Sequence, residues 1–548
     1  MGLDEKETQV KKRRKGPEAA QHMRRVFSYQ YQVIAEGALA GGIGGAVVSV
    51  LRLLMHHAEH LRNALIQGAK TTPQGLVLAL VLLAACCFIA CLSVRLVPLA
   101  SGSGIPQIKG EMQGQIDEPW FSVMISKLIG TVAGIGAGLS MGNEGPSVQI
   151  GAMAGKGTAR LLGRPVTEEW VLMSAGVGAG LSCAFNAPLA AVMFVLEDIH
   201  NNLNKDVILT TMAAVVTSDF VSYQIFGLHP VVTVPSTRAL PLKYYWLLLI
   251  LGVILGAFGV FFNKFTDVMQ NLYQHISNKS IRIIIPFLMV IPLAVFRPDA
   301  LGTGYDLIAD SAAGKYMAAG MLLLIVLKFF YSMCCTTCGT PGGIFLPLLV
   351  VGSLTGGLFM RLYCGMTGDE DIYLANFVLY GMVGYFAAVI RAPITGVLLV
   401  TEMTGNFMNF LSLTIVALVA YISAQLMHGQ PIYDQLLQRL LRTRNENMDY
   451  GNRHHVPKVI LDSDIHMGSL LDGQPISRMH LPKGSLVVAI LHQGVEIVPG
   501  GSTVLHAGDQ ISVLCSARDS INVDEMLETQ CRTTMGDWQN EDTDCPES

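Results

Sequence analysis

The stretches APLAAVMFVLED at residues 187–198 and APITGVLLVTEM at residues 392–403 share one pattern. The second copy begins 205 residues after the first and keeps the Ala-Pro pair, the aliphatic run and a glutamate. That glutamate is Glu197 in the first copy and Glu402 in the second, and a Gly- and Pro-rich helix start precedes each copy. The chain therefore contains a duplicated unit, and we expect the two copies to have inverted topology, as in many transporters.

The composition excludes an ordinary soluble protein. Of 548 residues, 51% are hydrophobic and only 14% are charged, whereas soluble domains carry about 25% charged residues. The 56 glycines also fit membrane helices, which contain Gly more often than soluble helices do. Gly75 to Val94 is an uncharged run of 20 residues, and about 20 such residues cross a bilayer core. These features predict an all-α polytopic membrane protein with broken helices.

The charges predict the orientation of the chain. Residues 1–25 carry eight basic and four acidic side chains, whereas residues 441–548 carry eight basic and sixteen acidic ones. Because Lys and Arg favour the cytoplasmic side, we expect a multi-pass protein with both termini in the cytoplasm. We interpret the basic run as a topology signal rather than a nucleic-acid site, and no cleavable signal peptide is recognisable.

We divide the chain into five parts. The fourth part, of about 75 residues, contains short apolar runs separated by turn sequences, which indicate a small soluble α+β domain. Its predicted strands are 485–491, 495–498, 502–505 and 510–515, followed by a helix near 519–530. The parts are a basic segment 1–29, a membrane domain 30–440 (repeats of about 30–235 and 240–440), a linker 441–454, the soluble domain 455–530 and a disordered acidic tail 531–548.

Three Gly-rich turns begin predicted helices in the membrane domain: SGSGIP at 101–106, GNEGP at 142–146 and GGIF at 342–345. A helix N-terminus presents backbone N–H groups and a partial positive charge, so it favours an anion. Glu144 lies at one of these starts, and an acid within a membrane segment is costly and usually functional. When ionised it can compete with a bound anion, and when protonated it can leave. This predicts linked anion and proton binding.

Six segments resemble a known family. GSGIPQIKG, GNEGPSVQIG, FNAPLAAVMFVLED, GGIFLPLL, IRAPITGVLLVTEMT and QPIYDQLL are similar, in order, to the signature elements of the CLC family of chloride channels and chloride/proton antiporters. The similarity covers about residues 30–440. It implies the CLC fold and a homodimer in the bilayer, in which each subunit has its own pathway for chloride and protons.

The resemblance also implies site residues. Ser103 and Tyr433 would supply hydroxyl groups to a central chloride, and the amides of Ile344 and Phe345 would complete that site. A serine at position 103 implies a preference for chloride over fluoride or nitrate.

The same resemblance implies a proton pathway. Glu144 would be the external gate and proton acceptor, with the amides around Gly145 forming the outer anion site. Asp198 would be the internal proton acceptor, with Glu197 a weaker candidate. Two departures from the family pattern matter: Asn143 stands where a basic residue is usual, and Asp198 stands where antiporters commonly have Glu. We favour a chloride/proton antiporter, with a passive chloride channel as the alternative.

The soluble domain resembles a different module. Residues 455–530 are similar to the RCK, or TrkA-C, ligand-binding domain of potassium transport systems, which implies regulation by a small ligand such as cyclic di-AMP, or an assembly role without one. That tail alone would suggest a cation transport subunit, but the membrane domain lacks a TVGYG filter. The sequence contains no recognised catalytic motif, so we expect no enzyme activity, no cofactor and no metal. His56 and His60, which share a helix face, stand among charged surface positions. The tail type implies a prokaryotic plasma (inner) membrane.

Overall fold

The computed structural model describes residues 17–200, 205–235, 238–368, 371–448, 458–482, 484–492 and 495–516, together with 523, 526–527 and 529–531. Much of the predicted basic segment, linker and acidic tail falls on residues 1–16, 449–457 and 532–548, which lie outside the described residues. By its internal contacts the chain divides into two units. One comprises residues 1–105 and 119–432, and the other comprises residues 106–118 and 433–548.

The membrane domain is helical, and several of its helices are short or interrupted, as predicted. Within the described ranges, eight helices are long and apolar enough to span a membrane, and three shorter apolar helices accompany them. The helices are α1 (Pro17–Thr71), α2 (Pro73–Leu96), α3 (Ile105–Met112), α4 (Trp120–Ala137), α5 (Glu144–Leu161), α6 (Val166–Phe185), α7 (Pro188–Phe194), α8 (Lys205–Phe226), α9 (Tyr245–Gln274), α10 (Lys279–Phe296), α11 (Tyr305–Ala312), α12 (Ala318–Thr337), α13 (Phe345–Thr367), α14 (Leu374–Ile390), α15 (Pro393–Thr404), α16 (Phe410–Leu426) and α17 (Ile432–Met448).

Glycine determines the packing in both repeats. In the first, α5 lies against α6 so closely that a Cβ at Gly176 would be 2.1 Å from the carbonyl oxygen of Gly151. In the second, α13 lies against α14, and a Cβ at Gly381 would be 2.1 Å from the carbonyl oxygen of Gly352. Small residues allow such backbone contact, and this close van der Waals packing favours helix association in lipid, where no hydrophobic driving force acts between helices. The same helix pair therefore recurs in each half.

We expect Gly176→Ala to destabilise the membrane domain, because the new methyl group would overlap the backbone of α5. Overpacking of this kind costs about 1–3 kcal/mol. A Cβ at Gly42 has no neighbour within 4 Å among the described residues, so Gly42→Ala is the matched control and should be neutral or slightly stabilising. Thermal unfolding of both purified variants in detergent tests this, and equal midpoints would refute the close contact.

The described part of the soluble domain contains the strands β1 (Lys458–Asp464), β2 (Leu486–His492), β3 (Val495–Ile497) and β4 (Gln510–Ser516). They form an antiparallel sheet with the order β1-β4-β2-β3. Its core contains Leu461, Ile490, Leu505 and Val513, which are all buried. The strands predicted at 485–491, 495–498 and 510–515 correspond to β2, β3 and β4, whereas β1 was not predicted, because only three consecutive apolar residues mark it.

The prediction of a strand at 502–505 is wrong. This segment makes only an isolated bridge, between Val504 and Pro475, and its backbone bonds to a loop rather than to the sheet. The amide of Leu505 donates to the carbonyl of Gln474 at 2.9 Å, so its apolar side chain is buried without a strand. The helix predicted near 519–530 falls mostly outside the described residues, although Val523 and Leu527 belong to the core.

Candidate functional site

The three Gly-rich turns meet inside the membrane domain. Gly142 and Gly343 exchange two backbone hydrogen bonds, with N···O distances of 2.9 and 2.7 Å. The amide of Gly342 donates to the carbonyl of Gly102 at 3.0 Å, which ties the Ser103 turn to the other two. Because Gly142 and Gly343 belong to opposite repeats, this reciprocal pair joins the two halves at one place.

Two helix N-termini start from that junction. Helix α5 begins at Glu144 and α13 at Phe345, and no side chain caps either helix. Each helix has proline as its third residue, Pro146 and Pro347, which has no backbone N–H and so leaves the first turn open at a position where its donor would be unpaired. Ile344 precedes α13 directly and is buried, as is Phe345. Two uncapped N-termini that begin at one junction form an environment suited to an anion.

Ser103 lies against the start of α5. A Cβ at Gly145 would be 2.5 Å from the Ser103 hydroxyl oxygen and 3.1 Å from the Cα of Gly343, so these three residues are in close proximity. The Ser103 side chain is 8% exposed, and its hydroxyl makes no hydrogen bond within the part of the chain that the structure describes. A buried hydroxyl with an unused donor is costly unless it serves a ligand. Ser103 is thus placed to donate to an anion.

The Glu144 side chain is fully buried and folds back over the neighbouring turn. A Cβ at Gly142 would overlap its carboxylate, and a Cβ at Gly343 would be 3.0 Å from its Oε2. The backbone amide of Leu346 faces the carboxylate, yet neither carboxylate oxygen has a hydrogen bond of standard geometry from any described residue. The carboxylate therefore occupies the space beside the two helix N-termini where an anion would bind.

A buried lysine supports the Ser103 turn, and our reading of the sequence missed it. Lys127 lies on α4, is fully buried, and its Nζ donates to the carbonyls of Ala100 at 3.1 Å and Gly102 at 2.6 Å. These bonds fix the backbone next to Ser103 and bring positive charge towards the turn. A single lysine within the apolar run ISKLIGT was the available signal.

A second buried lysine lies beside the turn that contains Asn143. Lys328 on α12 donates from Nζ to Ser140 Oγ at 2.9 Å and to the carbonyl of Gly302 at 2.8 Å. Within the described part of the chain it forms no ion pair. Asn143 itself is 5% exposed and carries no charge. A lysine on α12 therefore contacts the segment that leads into this turn, whereas position 143 carries no charge.

We expect Lys127→Met to reduce chloride transport about tenfold, because the carbonyls of Ala100 and Gly102 would lose a buried donor. Leaving a buried acceptor unsatisfied costs about 1–3 kcal/mol, and 1.4 kcal/mol corresponds to a factor of ten. Chloride efflux from liposomes measures the effect, with Lys264→Met, at an exposed position on α9, as the matched control. Efflux equal to that of the unmodified protein would contradict this role.

The two repeats also cap each other's helices. The Glu197 carboxylate accepts hydrogen bonds from the amides of Ile394 at 3.2 Å and Thr395 at 2.8 Å, at the start of α15. The Glu402 carboxylate accepts from the amides of Leu189 at 3.1 Å and Ala190 at 2.9 Å, at the start of α7. The glutamate shared by the two sequence copies thus has the same structural task in each: it stabilises the opposite helix N-terminus.

Asp198 differs from its neighbour. Both residues belong to a π-helical turn, Val195–His200, that follows α7 directly. Asp198 is 5% exposed, whereas the Glu197 carboxylate accepts hydrogen bonds at the start of α15. A π-helical turn changes the direction of successive side chains and often marks a functional position. The two adjacent acids therefore have different environments, and Asp198 stays the candidate internal proton acceptor.

Tyr433 lies in the first turn of α17 and is fully buried. In the same unit, the next residue, Asp434, pairs with Lys109 on α3, with an Nζ–Oδ1 distance of 2.7 Å. Leu437, one turn further, lies against Gly110. These contacts attach the start of α17 to α3 and fix the position of Tyr433. The contact between the Tyr433 hydroxyl and a chloride, implied by the family resemblance, stays a prediction.

Comparison with known families gives two matches. Residues 85–425 match the family described as voltage gated chloride channel, and residues 462–527 match the TrkA-C domain. Curated relatives of this chain carry the name H(+)/Cl(-) exchange transporter ClcA. The one from Vibrio parahaemolyticus is 35% identical over 427 residues, which is 76% of this chain and 91% of the relative. The one from Citrobacter koseri is 32% identical, over 75% of this chain and 89% of the relative.

Solved structures agree with these matches. A slow cyanobacterial Cl−/H+ antiporter has a TM-score of 0.71 at 27% identity, covering 75% of this chain and 99% of that one. A CLC-type fluoride/proton antiporter has a TM-score of 0.61 at 22% identity, over 74% of this chain and 97% of that one, which shows similarity of fold.

Proposed function

We propose that this chain, which belongs to the voltage-gated chloride channel family, is an antiporter that exchanges chloride for protons across a membrane. The observation that carries the proposal is the Glu144 carboxylate, which lies buried beside two uncapped helix N-termini and the unused hydroxyl of Ser103. Relatives that are named as exchange transporters, and that this chain matches over most of their length, support the proposal.

The mechanism follows from competition for one space. While Glu144 is ionised, its carboxylate satisfies the helix N-termini and excludes chloride. When it is protonated, that attraction is lost, the side chain leaves and chloride takes its place, beside the amides of Gly145, Ile344 and Phe345 and the hydroxyl of Ser103. Each chloride that moves is thereby linked to a proton on Glu144. Asp198 delivers protons from the other side of the membrane.

The test is transport by the purified protein in liposomes. A chloride gradient is imposed, and a pH-sensitive dye inside reports whether chloride flow drives protons against their own gradient. Uphill proton movement supports the antiporter. Chloride flux without proton movement would make this protein a passive channel. Two departures from the usual antiporter pattern, Asn143 and Asp198, are compatible with that outcome.

The soluble domain gives the proposal a regulatory part. We propose that residues 455–530 modulate transport by binding a small ligand, for example cyclic di-AMP, since residues 462–527 match the TrkA-C domain. Transport by the full chain with and without the nucleotide tests this, and an unchanged rate together with no measurable binding would reject that ligand.

Assembly and location complete the proposal. We propose a homodimer in a prokaryotic plasma membrane, with both termini in the cytoplasm, since the similar transporters named above are bacterial and the basic residues concentrate at the N-terminus. We propose transport without catalysis, since those relatives are named as transporters. Cross-linking in native membranes and protease access to each terminus measure these properties.

A further inference from the structure

Helices α2 and α10 form the most outward-facing part of the membrane domain. Only 6% of the most apolar window of α2 and 22% of that of α10 is buried, the two lowest values among the candidate spans in the described part of the chain. Large apolar side chains such as Phe88, at 68%, and Leu288, at 58%, are exposed there. In a membrane such a surface is covered by lipid chains, because no water is present to cover it.

A groove runs between these two helices. Its apolar part has a volume of about 510 Å³ and is lined mainly by Leu83, Cys87, Phe88, Ile284 and Leu288. The volume and the apolar lining match an acyl chain, which needs a long channel without polar groups.

The groove continues into a polar part at one end. This part has a volume of about 390 Å³ and shares Cys91, Arg95 and Ser280 with the apolar part. Arg95 is in the last turn of α2, and Lys279 is the first residue of α10, so the two cations stand at the helix ends, where lipid headgroups lie.

The charge at this end has no acidic partner among the residues that the structure describes. Arg95 and Lys279 are exposed, and neither forms an ion pair within the described residues. No acidic side chain is among the described residues that line either part of the groove. Two unpaired cations at the end of an apolar channel complement one molecule type: an anion attached to a long hydrocarbon chain.

We propose that the α2/α10 groove binds an anionic phospholipid, with its phosphate between Arg95 and Lys279 and one acyl chain along the apolar part. A zwitterionic lipid fills the same channel, but its own cationic headgroup opposes Arg95 and Lys279. The site therefore selects by headgroup charge. It is separate from the chloride site and does not depend on the proposed transport function.

Lipid retention measures this selectivity. The full chain is placed in nanodiscs of phosphatidylcholine with 30% phosphatidylglycerol, extracted into mild detergent, and its bound lipids are counted by native mass spectrometry. An anionic surface attracts each Lys or Arg by about 1 kcal/mol, which is about a fivefold effect. We expect phosphatidylglycerol to be enriched on the unmodified protein and to fall about twenty-five-fold in the Arg95→Gln/Lys279→Gln double variant.

The matched control is Lys205→Gln/Lys264→Gln, which removes two exposed lysines that do not line the groove. It should retain phosphatidylglycerol like the unmodified protein. Equal retention of both lipids by the unmodified protein, or undiminished phosphatidylglycerol on the Arg95→Gln/Lys279→Gln variant, would overturn the proposal.

A second measurement does not depend on extraction. Leu92→Trp places a fluorophore in the apolar part, and phosphatidylglycerol with brominated acyl chains should quench it more than brominated phosphatidylcholine at the same content. Adding Arg95→Gln and Lys279→Gln should abolish that difference, and a difference that persists would also overturn the proposal.

Discussion

Liposomes that contain the Glu144→Gln variant are expected to pass chloride without moving protons uphill. Glutamine has nearly the shape of glutamate, but it can neither ionise nor carry the transported proton. The side chain would no longer compete with chloride for the two helix N-termini, because an uncharged amide gains little from their partial positive charge. We expect proton pumping to fall by at least about a hundredfold, the loss typical when a positioned acid or base is removed, while chloride flux persists or rises.

The dye assay described above measures both fluxes in one preparation. Glu144→Asp is the matched control, because it keeps a carboxylate at the start of α5 and shortens it by one methylene. It should retain part of the proton coupling, whereas Glu144→Gln should retain none. Proton pumping by Glu144→Gln at the rate of the unmodified protein would remove Glu144 from the proton pathway and would leave the anion-binding geometry unexplained.

The second prediction separates the two adjacent acids. Asp198→Asn should reduce proton movement about a hundredfold and spare chloride movement, since a positioned proton acceptor typically contributes two or more orders of magnitude. The Glu197 carboxylate accepts hydrogen bonds from the amides of Ile394 and Thr395 and so stabilises the start of α15, whereas the Asp198 side chain is buried in the adjacent π-helical turn.

Glu197→Gln should therefore act on stability. Loss of the charge would weaken the bonds to α15, and a hydrogen bond to a charged group contributes about 1.5–3 kcal/mol. We expect a lower thermal midpoint in detergent with proton coupling retained, and Glu402→Gln should lower the midpoint in the same way through α7. If Asp198→Asn left proton movement unchanged and Glu197→Gln abolished it, the two assignments would have to be exchanged.

Much of the fold could be predicted because membrane helices leave a strong pattern. Uncharged runs such as Gly75–Val94 predict spans directly, since the thickness of the bilayer fixes their length. The duplication of residues 187–198 at 392–403 predicted paired repeats. The prediction of a strand at 502–505 was wrong, because an apolar run can be buried in a loop as well as in a strand. A run of four residues is too short to distinguish a loop from a strand.

The candidate site was predictable in its residue types but not in its supports. Glycine at a helix start and an acid within a membrane segment are signals that can be read from the chain alone. Lys127 was missed because its partners are the carbonyls of Ala100 and Gly102, and every residue has a carbonyl. A bond to the backbone leaves no trace in the sequence at its acceptor.

Composition, length and repetition are properties of the chain, so the amino-acid sequence was enough to identify a duplicated membrane protein with helix N-termini suited to anions. The task of each copy of the shared glutamate became visible only in the folded protein. Glu197 and Glu402 have the same sequence context, and either could have faced water, carried a proton or capped a helix. Their roles followed once the two repeats were packed together, because each carboxylate meets amides more than 190 residues away in the chain.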